Sequence, residues 1–216
     1  PPLEDIDVII TADIAPYELP KLRLLNAGHS CLAYLSALSG SVRVDEAMSN
    51  AAIRKFVHDF LHLEAKPTLP EAAGIDLDDY IAALLERFSN PGVGDQIARL
   101  CLDGSSKFPK FLIPTIRAQL ERGGDVTHSA LALAGWCEYL TAGRDDPASL
   151  AADPLLDDAL RHAAHSVDDP AAFLDFSEVF GDLENSERFA DAFTAHLSTL
   201  RSSGVESALA ALFSRP

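Results

Sequence analysis

The chain has few of the residues that would bind nucleic acid or form a disulfide framework. Lysine and arginine number 17 against 33 aspartates and glutamates, which gives a formal net charge of −16. Nucleic acid and anionic membrane surfaces both require a basic patch, so this charge argues against them as partners. The cysteines are only Cys31, Cys101 and Cys137, with no CxxC pair. An odd number of scattered cysteines predicts free thiols in a reducing compartment.

Long apolar runs, a signal peptide and internal repeats are also missing. No apolar run approaches the roughly 18–20 residues that span a bilayer. The N-terminal sequence PPLEDIDVII has no basic region of the kind that starts a signal peptide, and it lacks an initiator methionine. We therefore expect a cytoplasmic protein in which this chain begins inside a longer polypeptide. The absence of a repeat of fixed period disfavours a helical solenoid.

What the sequence does contain is apolar residues at helical spacing. Hydrophobic residues make up 48% of the 216 positions, enough for one large domain. A short β-branched run at 8–11 predicts one strand, and the pattern becomes helical after Pro16. The fold class is therefore mainly α, with a short N-terminal strand remnant. Beyond the segment that follows Pro16, helices are predicted at 53–64, 76–88, 94–102, 114–124, 129–143, 153–167, 185–204 and 205–213.

The segment KLRLLNAGHS at 21–30 places polar side chains among leucines. On a helical wheel of about 100° per residue, Glu18, Asn26 and His29 fall with Lys21 inside an arc of roughly 140°. Leucines fall inside the same arc, so this face is not a simple solvated one. A mixed polar and apolar face of this kind is typical of the wall of a cleft.

These residue types suit proton transfer from an alcohol. A lysine among leucines loses solvation, which favours the neutral amine that acts as a general base. The Asn26 amide can donate to an oxygen that gains negative charge, and a neutral His29 can orient a hydroxyl. Glu18 can pair with Lys21 or pass protons outward, and Gly28 would leave room for a ligand near the backbone. From spacing alone, a surface helix with scattered polar residues remains an alternative.

The amino-acid sequence of this segment is more specific than the helical spacing of its polar residues. PYELPKLRLLNAGHSCLAYLSALSG at 16–40 resembles the signature that opens the C-terminal domain of the polyol-specific long-chain dehydrogenases and reductases, the mannitol 2-dehydrogenase and fructuronate reductase family. The resemblance covers essentially the whole chain. Further matches follow in order at VDEAM (44–48), RFSNP (87–91), DGSSKFPKFLIPT (103–115), AGWCEYL (134–140) and DP (153–154).

The resemblance implies a fold, a chemistry and roles for particular residues. The fold is the multi-helix C-terminal domain that resembles the 6-phosphogluconate dehydrogenase C-terminal domain, and the chemistry is hydride transfer with NAD or NADP and without a metal. The implied roles are Lys21 as general base, Asn26 as donor to the reacting oxygen, His29 as a contact to a substrate hydroxyl, Glu18 near the proton exit, and Arg99 and Lys107 as ligands of the far end of the substrate.

One position departs from the family pattern. Pro20 stands directly before the lysine, where the family usually has a larger residue. A proline beyond the first turn of a helix removes a backbone hydrogen bond. One interpretation is that the helix begins at Pro20 rather than at Pro16, which would change the orientation of Glu18.

The resemblance also implies a domain that this sequence lacks. Residues 1–16 are interpreted as the tail of an N-terminal nucleotide-binding domain, and residues 17–216 as the helical substrate and catalytic domain. GVGDQI at 92–97 follows a turn and ends in isoleucine, so it is not a dinucleotide fingerprint. The cofactor-binding residues and a second asparagine for the reacting oxygen are therefore expected in the missing domain, which would be a partner of this chain.

Two histidine pairs at i and i+3 or i+4 do not indicate zinc. His58 and His62 lack the intervening glutamate of the HExxH motif, and His162 and His165 are read in the same way as helix-surface residues. The sequence therefore predicts the C-terminal domain of a polyol dehydrogenase that oxidises a sugar alcohol to a ketose. Two alternatives stay open, a uronate reductase of the same family and a non-catalytic helical interaction domain. The substrate is a polyol or a sugar acid, and the oligomeric state is left undetermined.

Overall fold

The expected helical fold is confirmed. The computed structural model describes residues 10, 14–70 and 75–214, and most of them lie in helices. The only β-type pairing within these ranges is an isolated antiparallel bridge between Arg43 and Gln96. The strand predicted at 8–11 lies outside the described residues except for Ile10. No helix in the described ranges is both long and apolar enough to span a bilayer.

The described residues contain twelve α-helices and two π-helical segments. The first π-helical segment, π1, lies between α1 and α2, and the second, π2, follows α4. The α-helices are α1 (Ala15–Pro20), α2 (Ala27–Leu38), α3 (Val44–Ser49), α4 (Ala51–Asp59), α5 (Leu77–Phe88), α6 (Ile97–Leu100), α7 (Gly104–Phe111), α8 (Ile113–Arg122), α9 (Thr127–Gly143), α10 (Leu156–His165), α11 (Ser177–Phe180) and α12 (Glu187–Phe213), and the π-helical segments are π1 (Lys21–Asn26) and π2 (Phe60–Ala65).

Helix α9 is the centre of the domain. Its residues from 128 to 137 are all buried, and it packs against α2 on one side and α12 on the other. Trp136 lies in the middle of α9 and is 1% exposed. Its ring contacts Phe108 of α7 at 4.9 Å and Phe173 at 5.3 Å between centroids. A helix that is apolar on nearly all sides is stable only when it is surrounded in this way.

Several helix boundaries differ from the sequence prediction. The helix expected at 94–102 is a single turn, Ile97–Leu100, and α7 was not predicted because glycine, serine and Pro109 make its sequence a poor helix former. Gly104 begins α7 where an added Cβ would lie 2.3 Å from the Tyr34 hydroxyl oxygen. Glycine is therefore required for α7 to pack this closely against α2. The two C-terminal helices predicted to meet at Gly204 are confirmed. They form one run, α12, with a kink at Gly204, where φ is 77°.

Helices α1 and α2 form one continuous helical run through π1. The interpretation that the helix begins at Pro20 is wrong, since α1 begins at Ala15 and Pro20 is its last residue. Pro20 has no N–H to donate to the preceding turn, and the wider π-helical turns begin immediately after it. At the end of π1 the Ala27 N–H donates to the Leu22 carbonyl, five residues back, which is the π-helical pattern.

The N-terminus of α9 is capped by a fully buried carboxylate from π2. Glu64 is 0% exposed. Its Oε1 accepts from the His128 backbone N–H at 2.5 Å and lies 3.1 Å from His128 Nδ1. Its Oε2 accepts from the Ser129 backbone N–H at 3.0 Å and from the Ser129 hydroxyl. The carboxylate thus satisfies the helix N–H groups that have no partner within α9 and complements the positive end of its dipole.

Replacing Glu64 with glutamine should destabilise the domain strongly. The amide NH2 would face N–H donors, so at least one buried donor would lose its acceptor, at a cost of about 3 kcal/mol. Urea unfolding of Glu64→Gln measures this loss. The control is Glu121→Gln on the exposed face of α8, which should change the free energy of unfolding by less than about 0.5 kcal/mol. Equal effects of the two substitutions would contradict the capping role of Glu64.

Candidate functional site

Four of the six predicted site residues line one cleft. The cleft lies between the start of α2 and the segment that contains α6 and α7, and its volume is about 240 Å³. The Asn26, His29, Arg99 and Lys107 side chains therefore come together although they are spread over some eighty positions in the sequence. The lining residues are Asn26, His29, Ser30, Arg99, Leu100, Lys107 and Phe111.

A second, smaller cavity adjoins the cleft across His29 and Arg99, which line both. Its volume is about 60 Å³. Two acidic and two basic side chains are among its lining residues, and the ring of Phe88 provides an apolar wall. The lining residues are Leu25, His29, Val44, Asp45, Arg87, Phe88, Asn90, Val93, Asp95 and Arg99.

Lys21 and Glu18 lie on the same helical run but do not line the cleft. Both side chains are exposed, so this domain by itself does not surround Lys21 with leucines as the sequence suggested. The π1 segment nevertheless changes the relation of Lys21 to the cleft. An α-helical wheel separates Lys21 from Asn26 by about 140°, and the wider turn of i to i+5 bonding reduces this angle. Lys21 is therefore closer in angle to Asn26 than an α-helical wheel gives, although it does not line the cleft.

His29 is a neutral ring packed against an aromatic one. Its imidazole stacks on Phe88 with centroids 4.5 Å apart. Desolvation by burial lowers the pKa of His29 to about 4, and the positive charges of Arg99, Arg87 and Lys107 add to this while Asp95 opposes it. A neutral imidazole both donates and accepts a hydrogen bond. His29 can therefore orient a hydroxyl group without adding charge to the cleft.

Arg99 and Lys107 are the two cations of the cleft, and both are engaged. Arg99 Nε donates to Asp95 Oδ1 at 2.7 Å, and Arg99 Nη2 pairs with Asp95 Oδ2. Lys107 Nζ donates to the Leu100 carbonyl at 3.0 Å and lies 3.4 Å from the Arg99 carbonyl oxygen. Burial lowers the pKa of the Lys107 amine. These contacts hold both side chains near the cleft wall.

Two expectations about this region are corrected. Gly28 is not an approach point for a ligand, because it is buried and a Cβ there would lie 3.5 Å from the side chains of Leu61 and Phe88. A Cβ at this position would make ordinary van der Waals contact with those side chains. Glu18 lies within α1, so the turn of helix between it and Lys21 is regular.

The histidine pairs have partners other than a metal. The His58 and His62 rings are 4.4 Å apart, with His58 Nδ1 at 3.0 Å from Asp59 Oδ1. His162 stacks on Phe176 at 4.7 Å, so it packs against the core and is not the helix-surface residue that was predicted. In the part of the chain that the structure describes, one group has the spacing of metal ligands, formed by Glu64, Asp125 and His128. Since both Glu64 oxygens already accept from the start of α9, this group is a helix cap.

Sequence reasoning missed three residues of the site. Phe88 supports His29, Ser30 lines the cleft, and Asp95 holds Arg99. Only Asp95 had a usable signal, because an acidic and a basic residue four apart at the start of a helix predict an ion pair. The position of Phe88 against His29 arises from the packing of α5 on α2 and has no local signature.

The chain matches the family model described as the mannitol dehydrogenase C-terminal domain over residues 13–201. It is 36% identical over 211 residues to a mannitol 2-dehydrogenase of Aspergillus fumigatus, covering 95% of this chain and 42% of that protein. It is 36% identical over 209 residues to a mannitol dehydrogenase of Saccharomyces cerevisiae, covering 94% of this chain and 41% of that protein.

Solved structures are similar over the same extent. The ternary complex of Pseudomonas fluorescens mannitol 2-dehydrogenase with NAD and D-mannitol superposes with a TM-score of 0.90 at 35% identity, covering 100% of this chain and 44% of that one. A substrate-free D-sorbitol dehydrogenase superposes with a TM-score of 0.86 at 29% identity, covering 97% of this chain and 43% of that one. The chain thus spans less than half the length of the relatives it matches.

The neutrality of His29 makes stability depend on pH. Its pKa is about 4 in the folded chain and about 6.5 in the unfolded one. The unfolded state therefore binds the proton more tightly, so the free energy of unfolding should fall as the pH drops from 6.5 toward 4, by at most about 3 kcal/mol from this residue. NMR titration of the His29 ring and urea unfolding at several pH values measure both effects. In His29→Gln this contribution to the pH dependence should vanish; an unchanged slope would contradict the assignment.

Proposed function

The chain belongs to the family of the mannitol dehydrogenase C-terminal domain, and we propose that it forms the substrate-binding part of an NAD-dependent dehydrogenase that oxidises a secondary hydroxyl of a sugar alcohol to a ketone. The observation that carries the proposal is the single cleft lined by Asn26, His29, Arg99 and Lys107. These side chains offer several hydrogen-bond donors and one neutral imidazole, a set that suits a chain of hydroxyl groups.

The chemistry divides between this chain and a nucleotide-binding domain. The acceptor for the hydride that leaves the alcohol carbon would be supplied by NAD bound to that domain. In our proposal Lys21 removes the hydroxyl proton, and the Asn26 amide donates to the oxygen as it gains negative charge. Such a donor typically contributes about 3 kcal/mol to lowering the barrier. His29 orients the reacting hydroxyl or its neighbour, Arg99 and Lys107 hold the distant hydroxyls, and Glu18 carries the proton toward solvent.

The exposure of Lys21 supports a division of the site between two domains. A general base of this type requires a neutral, desolvated amine. Because Lys21 is exposed in this chain, the proposal assigns its desolvation to the docked nucleotide-binding domain, the cofactor and the substrate. The similar ternary complex with NAD and D-mannitol is more than twice as long as this chain, which leaves room for such a domain.

The two alternative functions receive less support. A uronate reductase would bind a carboxylate, whereas the cleft's Arg99 is already paired with Asp95. A non-catalytic interaction domain would not need four polar side chains directed into one cleft. The similar proteins also carry the names of mannitol and sorbitol dehydrogenases. We therefore propose a neutral polyol as substrate and NAD as cofactor.

Replacing Lys21 with alanine in the full-length gene product should abolish most of the polyol oxidation. Loss of a general base typically lowers the rate by about 10²- to 10⁴-fold, while NAD binding should be unchanged because the cofactor lies on the other domain. The measurement is the oxidation rate against pH for the wild type and Lys21→Ala. Lys110→Ala, an exposed lysine of α7 outside the cleft lining, is the control. A small primary amine in the medium should restore part of the lost rate.

A Lys21→Ala enzyme that keeps the wild-type pH step and most of the rate would overturn the assignment of the base. His29 would then become the leading candidate, since it lines the same cleft and has a titratable ring.

Activity should not depend on a metal ion. The proton is removed by an amine in this proposal, so no Lewis acid is needed. Dialysis of the full-length enzyme against a strong chelator, followed by a rate measurement, should give an unchanged rate once the metal content has been verified by elemental analysis. A loss of activity that only added zinc restores would return His58 and His62 to consideration.

A further inference from the structure

The arginine of the cleft is held by a carboxylate that takes two of its nitrogens. Arg99 Nε and Nη2 both face Asp95, with 2.7 Å between Nε and Oδ1. Bidentate pairing of this kind is both strong and specific in orientation. The third guanidinium nitrogen, Nη1, is the one that the pair leaves for a ligand in the cleft. Hydrogen bonding to Arg99 is the largest influence that lowers the pKa of Asp95, so this carboxyl is ionised near neutral pH.

Asp95 is itself fixed by the backbone on both sides. Its Oδ1 also accepts from the Gln96 N–H at 2.9 Å, and its carbonyl accepts from the Val44 N–H at 3.0 Å. A second backbone hydrogen bond joins the same two segments, since the Ile97 N–H donates to the Val42 carbonyl at 3.0 Å. The carboxylate is 16% exposed, compared with 60% for the Arg99 side chain. Asp95 therefore acts as a fixed anchor and Arg99 as the group that it positions.

This anchor changes the charge that a substrate meets. Without it, the cleft would present two cations, Arg99 and Lys107, beside a neutral His29. With it, the charge of Arg99 is compensated at close range, and a substrate carboxylate brought to Arg99 would also approach the Asp95 carboxylate. Like charges placed together disfavour binding strongly, whereas a neutral hydroxyl can accept from Arg99 without that repulsion.

We infer that Asp95 is a positioning residue that makes this cleft select neutral sugar alcohols over sugar acids. It does so by orienting Arg99 for hydrogen bonding to hydroxyl groups while cancelling its attraction for a carboxylate. This inference rests on the proposed function, because it assumes that the substrate occupies the cleft. In this scheme, selectivity comes as much from the repulsion between Asp95 and a substrate carboxylate as from the hydrogen bonds that Arg99 donates to hydroxyl groups.

The first test is binding to the 216-residue chain, which needs no turnover. The probes are D-mannitol and D-mannonate, which share a hydroxyl configuration and differ in charge, and NMR titration gives the dissociation constants. In Asp95→Asn the ratio of D-mannonate affinity to D-mannitol affinity should rise by about tenfold or more, because one negative charge is removed beside Arg99. The increase should shrink at high salt, as an electrostatic effect does.

Matched variants separate charge from structure. Asp95→Glu keeps the charge and should keep the wild-type ratio. Asp158→Asn breaks an acid–arginine pair on α10, at 2.6 Å from Arg161 and outside the cleft lining, and should leave the ratio unchanged. If Asp95→Asn does not fold, Arg99→Gln provides the reverse test. It leaves Asp95 uncompensated, so the ratio should fall below that of the wild type.

An unchanged ratio in folded Asp95→Asn, or an equal shift in Asp158→Asn, would overturn the inference. The same would follow if Arg99→Gln weakened both ligands equally. In the full-length enzyme with NAD, Asp95→Asn should raise kcat/KM for D-mannonate relative to D-mannitol. Absence of polyol turnover in the wild type would contradict the proposed function, while the binding ratio would still decide the role of Asp95.

Discussion

The domain depends on satisfying the N-terminus of a helix whose residues from 128 to 137 are all buried. Helix α9 is buried on nearly all sides and carries the packing of α2 and α12. Its first N–H groups have no partner within the helix, and leaving them unpaired would cost more than the burial of several methyl groups contributes. Glu64 resolves this by bringing both carboxylate oxygens from π2 to His128 and Ser129. The buried helix at the centre of the domain therefore depends on a buried carboxyl group at its N-terminus.

The cleft is a consequence of how α2 packs on the segment that holds α6 and α7. Tyr34 of α2 donates to the Cys101 carbonyl at 3.0 Å, and Gly104 lets α7 approach the same ring. These contacts join α2 to the chain just beyond α6. The polar residues at the start of α2 then face Arg99 and Lys107 across a short distance. The three cysteines are buried free thiols, as expected, and burial raises the pKa of Cys101 to about 12, so this neighbour of the cleft is not a nucleophile.

Charge in the cleft is arranged so that hydrogen-bond donors remain while the positive charge of Arg99 is compensated by a carboxylate. His29 is kept neutral by burial against Phe88, Lys107 donates to backbone carbonyls, and Arg99 is paired with Asp95. A site with many donors and an arginine whose charge is compensated suits the hydroxyl chain of a polyol better than the carboxylate of a sugar acid. The π-helical turn adds to this arrangement, because its wider turn reduces the angle around the helix axis between Lys21 and Asn26.

The sequence by itself determined the helical class, most helix positions and the residue types of the site. Helical periodicity and capping residues such as Asp76, which accepts from the first N–H groups of α5, act over a few residues and can be read locally. The family resemblance implies roles for Asn26, His29, Arg99 and Lys107 from the sequence alone. The i, i+4 spacing of Asp95 and Arg99 is a local signal of an ion pair. No local pattern shows that this pair lies beside the cleft.

Only the tertiary structure decided the features that depend on contacts between distant segments. The π-helical turn after Pro20 changes the angle between Lys21 and Asn26, which an α-helical wheel does not represent. The burial of Gly28 against Phe88 and the capping of α9 by Glu64 both join residues that are far apart in sequence. Desolvation acts in the same way, since the low pKa of His29 arises from the elements packed around it and not from its neighbours in the chain.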